Sequence, residues 1–205
     1  MSDRGSVVSD RDIRIFKSPI EIRSDVHSDG SIGTIRGYAA VYNSWSEQLG
    51  HFRERISPGA FTEVLKSGPD VRLLVDHDSS KILARTSSGT LRLGEDKRGL
   101  WYEGDVADTT SGRDILESVR RSDVDSSSFA FILEGSGGMP EQEWSPDGKE
   151  RTIHQIGQLL DVSAVTYAAY PATTSEASLR SLDAVQHPNL AKYRPIVAAW
   201  VAKYL

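Results

Sequence analysis

The chain has 205 residues, of which 38% are hydrophobic, and a net charge of -5 at neutral pH. This length suits one domain with a real core, and the acidic balance argues against nucleic acid as a partner, since nucleic-acid surfaces normally carry a basic excess. The absence of cysteine excludes a disulfide scaffold, a cysteine nucleophile and thiolate metal sites. No apolar run approaches the roughly 20 residues that span a bilayer, so we expect no membrane partner and a cytoplasmic protein.

The two ends of the chain differ in composition from its middle. Residues 1–20 are rich in Ser, Asp and Arg without a sustained period, and we expect a flexible N-terminal tail there. Residues 21–180 carry the patterns of a folded domain. Residues 181–205 are predicted to form a linker and a short amphipathic helix, which either packs on its own domain or docks to a partner.

Alternating or continuous apolar residues predict several strands between these ends. The strands are expected at 32–42, 71–75, 100–106, 124–131, 152–155 and 159–166. Two further segments, 81–85 and 90–93, are predicted to pair with each other around a Ser-Ser-Gly turn. One helix is expected to begin at Ser57-Pro58 and a second to be capped by Ser111. Many short strands with two inserted helices predict a β-rich domain, either a barrel or an α+β fold.

A run of three serines enters one of these strands, at residues 126–128. Side chains alternate along a strand, so Ser128 lies on the face opposite Phe129 and Phe131. A small hydroxyl held by two aromatic anchors suits a nucleophile, although a serine run alone is more often a polar turn that enters a strand. A nucleophilic role for Ser128 therefore requires a base and a group that orients the base.

His77 is a candidate for the base, because it ends an apolar strand and is flanked by Asp76 and Asp78. An imidazole at a strand end can take a proton near neutral pH, and it can equally serve as a capping donor. The three adjacent side chains alternate in direction and cannot all face one ion, so we expect no metal site. The glycines at 135–138 match no phosphate-binding motif, and we expect no cofactor.

Asp161 lies inside an otherwise apolar strand, where an ionised carboxylate needs a partner because burying an unpaired charge is costly. Orienting an imidazole is one such role. Pairing with an arginine is the other.

Seven motifs in a fixed order, spread over roughly residues 33–180, resemble the HK97-type prohead proteases of tailed phages. They are Gly37-Tyr-Ala-Ala-Val-Tyr42, Glu54-Arg-Ile-Ser-Pro-Gly-Ala-Phe61, Leu73-Leu-Val-Asp-His-Asp78, Thr90-Leu-Arg-Leu93, Gly99-Leu100, Ser128-Phe-Ala-Phe131, and Asp161-Val-Ser-Ala-Val-Thr166 with Ala169-Tyr-Pro-Ala172. That family is similar in fold to the herpesvirus assembly proteases. The resemblance implies an α+β, mainly β fold: a closed β-barrel surrounded by helices.

The resemblance places the family's catalytic histidine at His77, its nucleophile at Ser128 and its acidic third member at Asp161. The third member is more often Glu in the family, and Asp is one methylene shorter. The residue before the nucleophile is usually apolar, whereas this chain has Ser127, and the glycine expected near the end of the second helix is replaced around Ser122 and Asp123.

The resemblance leaves two parts of the implied site open. The herpesvirus relatives use a second histidine as third member, so His154 is an alternative to Asp161. Backbone N–H groups are expected to stabilise the oxyanion, and a glycine of the 135–138 loop is one candidate donor.

The implied function is that of a serine endopeptidase that cleaves the scaffold protein and the amino-terminal region of the major capsid protein. Self-cleavage is also expected, and the place of action is the assembling prohead in the bacterial cytoplasm. The oligomeric state is left open, and a homodimer is one alternative because the herpesvirus relatives act as dimers. The alternative is a non-catalytic capsid-assembly or scaffold-binding module on the same fold. An esterase-like hydrolase is disfavoured because the chain lacks a G-x-S-x-G nucleophile elbow.

Overall fold

Twelve strands and two helices make up the part of the chain that this computed structural model describes, which is residues 11–16, 18–23, 30–133 and 141–166. The strands are β1 (Asp12–Phe16), β2 (Glu21–Arg23), β3 (Ser31–Val41), β4 (Arg53–Ile56), β5 (Arg72–Val75), β6 (Asp78–Arg85), β7 (Leu91–Glu95), β8 (Gly99–Ala107), β9 (Ser126–Ile132), β10 (Gln142–Trp144), β11 (Glu150–Ile153) and β12 (Gln158–Val165). The helices are α1 (Thr62–Lys66) and α2 (Thr110–Arg120).

A five-stranded sheet in the order β1-β9-β12-β5-β6 carries the serine strand. β9 is antiparallel to both of its neighbours, β1 and β12, while β12 runs parallel to β5. Ser128 on β9 is opposite Ile15 on one side and Ser163 on the other. The ends of β5 and β12 therefore meet beside the strand that carries Ser128.

Two smaller sheets complete the described fold, one in the order β2-β3-β8-β7 and the other β10-β11-β4. The four-stranded sheet packs against the five-stranded one, with β3 next to β9 and β8 next to β6. The core between them is apolar and contains Tyr102, Phe129 and Phe131 among its fully buried side chains. Burial of these large rings is a main source of stability in such a core.

The predicted mainly β architecture is confirmed, but the predicted closed barrel is wrong. Within the described residues each sheet ends at two different strands, and none closes on itself. The sheets are joined through packed side chains such as Phe61 against Phe129, whose ring centroids lie 5.4 Å apart. Closure would instead require a continuous backbone hydrogen-bond ladder around the barrel.

The predicted pairing of 81–85 with 90–93 is also wrong. β6 pairs with β5, and β7 pairs with β8, so the two strands lie in different sheets. The turn that contains Gly89, with φ +74°, redirects the chain from one sheet to the other.

β1 lies within residues 1–20, and the expectation of a flexible tail is wrong for this strand. Its two charged residues, Asp12 and Arg14, are buried, whereas Ile13 and Ile15 are only partly buried. The guanidinium of Arg14 forms a bidentate ion pair with buried Glu54, with Nη2 3.1 Å from Oε2. This pairing compensates for taking the charges out of water and holds β1 against β4.

Helix α1 begins later in the chain than the sequence predicts, and helix α2 begins earlier. Residues 57–60 form a turn, and α1 begins at Thr62. Helix α2 is capped by Thr109, whose hydroxyl accepts a hydrogen bond from Gly112 N at 3.0 Å, rather than by Ser111. The predicted helix at the C-terminus and the 135–138 loop lie outside the described residues. Neither described helix has the length and apolar character needed to cross a membrane.

Candidate active site

His77 lies in a two-residue turn that joins β5 to β6. Val75 pairs with Asp78, and the two residues between them, Asp76 and His77, have φ of 49° and 58°. Type I′ hairpin turns need positive φ at both central positions, a conformation that costs free energy for residues other than glycine. Such strain is concentrated at functional sites. In this turn the positive-φ conformation directs the imidazole of His77 back over the sheet, towards β9 and β12.

Asp76 fixes this turn to the end of β12. Its carboxylate accepts hydrogen bonds from the N–H and the hydroxyl of Thr166, each at 2.8 Å. Its own N–H donates to the carbonyl of Ala164 at 3.0 Å. The turn is therefore tied to the C-terminal end of β12, through Ala164 and Thr166.

Ser128 and His77 are in hydrogen-bond contact, with Ser128 Oγ 2.6 Å from His77 Nε2. As the alternation predicts, Phe129 and Phe131 belong to the apolar core, where their rings stack with centroids 4.9 Å apart. These rings anchor β9, so the position of Ser128 is fixed by packing behind it.

Asp161 completes a chain of three side chains, because its Oδ1 lies 2.5 Å from His77 Nδ1. A carboxylate only accepts hydrogen bonds, so Nδ1 carries the proton in this contact and Nε2 is left to accept from Ser128. Asp therefore reaches the imidazole even though it is one methylene shorter than the Glu that is more common in the resembling family.

The carboxylate of Asp161 has two further partners. Arg11 donates to Oδ2 at 2.5 Å, and the Ser163 hydroxyl donates to Oδ1 at 3.1 Å. Asp161 is 4% exposed, so the charge is buried but neutralised and hydrogen-bonded. The two roles that the sequence left open, orienting an imidazole and pairing with an arginine, are combined in one residue.

Arg11 and Ser163 are contacts that the sequence did not single out. Arg11 is 150 positions from Asp161 and lies in the segment predicted as a tail, so no local pattern pointed to it. Ser163 could have been found from its place two residues after Asp161 on the same strand face.

Ser128 has a second acceptor within reach. Its Oγ lies 2.8 Å from the carbonyl oxygen of Arg14 on β1, and the residue has no exposed surface. A hydroxyl has one proton, so it donates either to Arg14 or to His77 at any moment. Only the second arrangement prepares the oxygen for nucleophilic attack.

His154 is not brought to His77. Its Nδ1 contacts Ser57 Oγ at 3.1 Å, and its Nε2 lies 3.4 Å from Glu143 Oε2 near the surface. Of the two candidates for the third member, the structure places Asp161 on the imidazole.

Ser127, one of the positions at which the chain departs from the pattern of the resembling family, has a partner in the core. Its Oγ lies 2.8 Å from the hydroxyl of Tyr102 on β8. Burial raises the pKa of Tyr102 to about 12, and the bond to Ser127 acts in the opposite direction. A Cβ on Gly37 would lie 2.8 Å from the Tyr102 hydroxyl oxygen, so this position must be glycine to admit the pair.

A metal-binding group of at least three His, Asp or Glu side chains does not occur in the described ranges. The residues gathered around Ser128 are instead those of proton transfer and nucleophilic attack.

A serine, a histidine and a buried carboxylate joined in this order form the arrangement that serine hydrolases use, on several unrelated folds. The chain belongs to the caudovirus prohead serine protease family, whose model matches residues 18–188.

No curated protein sequence matches the chain. Among solved structures, it is similar to the capsid assembly protease gp21 of bacteriophage T4, with 11% identity and a TM-score of 0.54. The match covers 76% of this chain and 96% of that one. At this identity the similarity concerns the fold.

Proposed function

We propose that the chain is a serine endopeptidase of capsid maturation, with Ser128 as nucleophile, His77 as general base and Asp161 as the group that orients the imidazole. The observation that carries this proposal is the pair of contacts at His77, 2.6 Å to Ser128 Oγ and 2.5 Å to Asp161 Oδ1. Family membership supports the reaction type, and the two contacts at His77 support the roles proposed for the three residues.

In the proposed reaction, Ser128 Oγ attacks the scissile carbonyl carbon while its proton passes to His77 Nε2. The imidazolium is stabilised by Asp161, which already accepts the Nδ1 hydrogen. The tetrahedral intermediate breaks the C–N bond, and His77 returns the proton to the leaving amine. A water molecule then repeats the two steps on the acyl-enzyme, releases the new carboxyl terminus and restores Ser128.

The hydrogen-bond partners of Asp161 suit this role. Arg11 and Ser163 hold both carboxylate oxygens, so Asp161 keeps one orientation while the charge on His77 changes. A preorganised site of this kind spends no free energy on reorienting its groups during the reaction.

The proposed substrates are the scaffold protein and the amino-terminal region of the major capsid protein, with self-cleavage of the protease. The proposed place of action is the interior of the assembling prohead in the host bacterium. The family supports this assignment, and the fold is shared with a protein described as a capsid assembly protease.

The test is a capsid assembly reaction in which the scaffold and the major capsid protein are produced with wild-type protease, Ser128→Ala or Ser126→Ala. Ser126 is equally buried on the same strand and donates to Asp125, so it is a matched control. We expect processed scaffold with the wild type and Ser126→Ala, and full-length scaffold with Ser128→Ala. Undiminished processing by Ser128→Ala would refute the assignment.

A non-catalytic scaffold-binding module is the second candidate function. The observation in its favour is that Ser128 has no exposed surface and can donate to Arg14 instead of His77. The same experiment separates the two candidates, because the module would leave the scaffold intact with all three proteins.

A further inference from the structure

Ser163 is a fully buried polar residue on β12 that touches the proposed general base and the carboxylate that orients it. Its Oγ lies 3.1 Å from Asp161 Oδ1, 3.2 Å from the backbone N of His77 and 3.3 Å from His77 Nδ1. It is also directly opposite Ser128 across the β9–β12 pair. One hydroxyl thus lies at the point where the three proposed catalytic groups meet.

The number of donors and acceptors on these groups decides which of the three contacts of Ser163 Oγ are hydrogen bonds. The Nδ1 hydrogen of His77 is directed at Asp161, only 2.5 Å away, so Nδ1 has no acceptor site for Ser163. The Ser163 hydroxyl has one proton, which goes to Asp161 Oδ1, and lone pairs, one of which accepts the backbone N–H of His77. With this assignment the Ser163 hydroxyl and the backbone N–H of His77 each have an acceptor.

We propose that Ser163 is a positioning residue whose hydroxyl joins the backbone of His77 to the carboxylate of Asp161, so that the imidazole presents Nε2 to Ser128. The proposal rests on the proposed function of these three residues. It adds a fourth side chain that does not touch the reacting atoms.

The backbone conformation of His77 explains why such a bridge is needed. At φ +58° this residue occupies a region that costs free energy, and relaxation towards negative φ would swing the ring away from β9. Asp76, the residue before His77, is bonded to Thr166 through its carboxylate, but this carboxylate does not bond His77. The bond from His77 N to Ser163 holds the residue that carries the ring.

Removing the hydroxyl leaves the His77 N–H without this acceptor and Asp161 without one donor. The ring then samples more orientations, and the productive contact with Ser128 is populated less. Because Ser163 touches no substrate, the loss falls on kcat, and KM changes little. We expect kcat to fall about 10- to 100-fold, the range that the loss of a hydrogen bond to a charged group produces.

The experiment compares Ser163→Ala, Ser163→Thr and the matched control Ser126→Ala with wild-type and Ser128→Ala protein. Two quantities are measured: kcat and KM on a peptide that spans a mapped scaffold cleavage site, and the ring ¹⁵N and Nδ1–H resonances of His77 in histidine-labelled protein. We expect lower kcat and a weakened or shifted Nδ1–H resonance in Ser163→Ala. Ser163→Thr restores kcat, and Ser126→Ala behaves as wild type.

Wild-type kcat together with unchanged His77 resonances in Ser163→Ala would overturn the proposal. A loss of kcat that follows lower thermal stability while the resonances stay unchanged would also overturn it, since that is a purely structural role. If the extra methyl of Ser163→Thr prevents folding, the alanine variant and the resonances decide alone.

Failure of the proposed function is distinguishable from these outcomes. It appears as Ser128→Ala that cleaves the peptide like the wild type, or as a wild-type protein without activity. In either case the ring resonances still report whether Ser163 orients His77.

Discussion

Asp76 and His77 are consecutive central residues of one tight turn, and both have positive φ. Asp tolerates this conformation better than most residues, and its carboxylate ties the turn to Thr166 with two hydrogen bonds of 2.8 Å. Histidine shares part of this tolerance, and His77 is held further by its contacts with Asp161 and Ser163. The position of the proposed general base is therefore determined by Asp76 as well as by the sheet.

Replacing Asp76 tests this dependence. Asp76→Ala removes both bonds to Thr166 and places alanine at φ 49°, so we expect the free energy of unfolding to fall by about 1–3 kcal/mol. Peptidase activity should fall as well, because the turn that carries His77 is less restrained. Asp76→Asn, which tolerates positive φ and keeps one acceptor, should lose less of both. Urea unfolding and kcat measure the two effects, and equal losses in the two variants would argue against the turn as the cause.

Substitution of Asp161 tests the third member. In Asp161→Asn the amide can present a donor to His77 Nδ1, which favours the wrong tautomer, and we expect kcat/KM to fall by about 10²- to 10⁴-fold. Asp161→Glu restores the residue more common in relatives, but it adds a methylene to a site already filled by Arg11 and Ser163. We expect this variant to be less active than the wild type, and higher activity would contradict the observed fit.

His154→Ala is the companion prediction, because this residue was the alternative third member. Its contacts are with Ser57 and Glu143, away from the imidazole of His77. We expect kcat/KM within about twofold of the wild type. A loss as large as that of Asp161→Asn would restore His154 as the third member.

Tyr102 predicts a stability change in alkali. Its pKa is raised from the ordinary value of about 10 to about 12, because burial favours the neutral hydroxyl. An acid whose pKa is higher in the folded state than in the unfolded state binds its proton more tightly when the protein is folded. Its contribution is therefore complete below about pH 10 and is lost as the pH rises through about 12.

Tyr102→Phe removes this dependence. Between about pH 9 and about pH 11 the wild type should lose about 1 kcal/mol more unfolding free energy than the variant. Urea unfolding at the two pH values measures the difference. Equal losses in both proteins would show that Tyr102 does not titrate as its burial implies.

Gly37 is expected to be essential for the packing of the same pair. A Cβ there would lie 2.8 Å from the Tyr102 hydroxyl oxygen and 3.1 Å from Ser127 Oγ, so Gly37→Ala should destabilise the fold by about 1–3 kcal/mol. The double variant with Tyr102→Phe removes the nearest atom and should recover part of the loss. Additive losses, measured by thermal or urea unfolding, would place the strain elsewhere.

Much of the strand pattern follows from sequence, because alternation and strand ends are local properties. The same pattern made Ser128, His77 and Asp161 candidates, whereas their assignment as three catalytic residues came from the family resemblance. Ser128 lies opposite the aromatic face, and His77 follows the strand that ends at Val75, as predicted. The chemical role of the three residues stays a proposal.

Sequence could not supply the non-local features. The buried face of β1 carries Asp12 and Arg14, which look like solvent-facing residues until Glu54 joins them from another strand. The partners of β6 and β7 depend on which sheet each strand enters, and a turn signal specifies only that the chain changes direction. The strand pattern left a barrel and an α+β fold open, and the resemblance decided for the closed barrel, since no local pattern determines whether a sheet closes.

The most direct test of the central claim is labelling of the wild-type protein with a fluorophosphonate under conditions in which it processes scaffold. Peptide mass spectrometry then locates the adduct. We predict one adduct, on Ser128, which persists in Ser126→Ala and is lost in Ser128→Ala and His77→Ala. Active protein that acquires no adduct on Ser128, or that is labelled equally well without His77, would contradict the account.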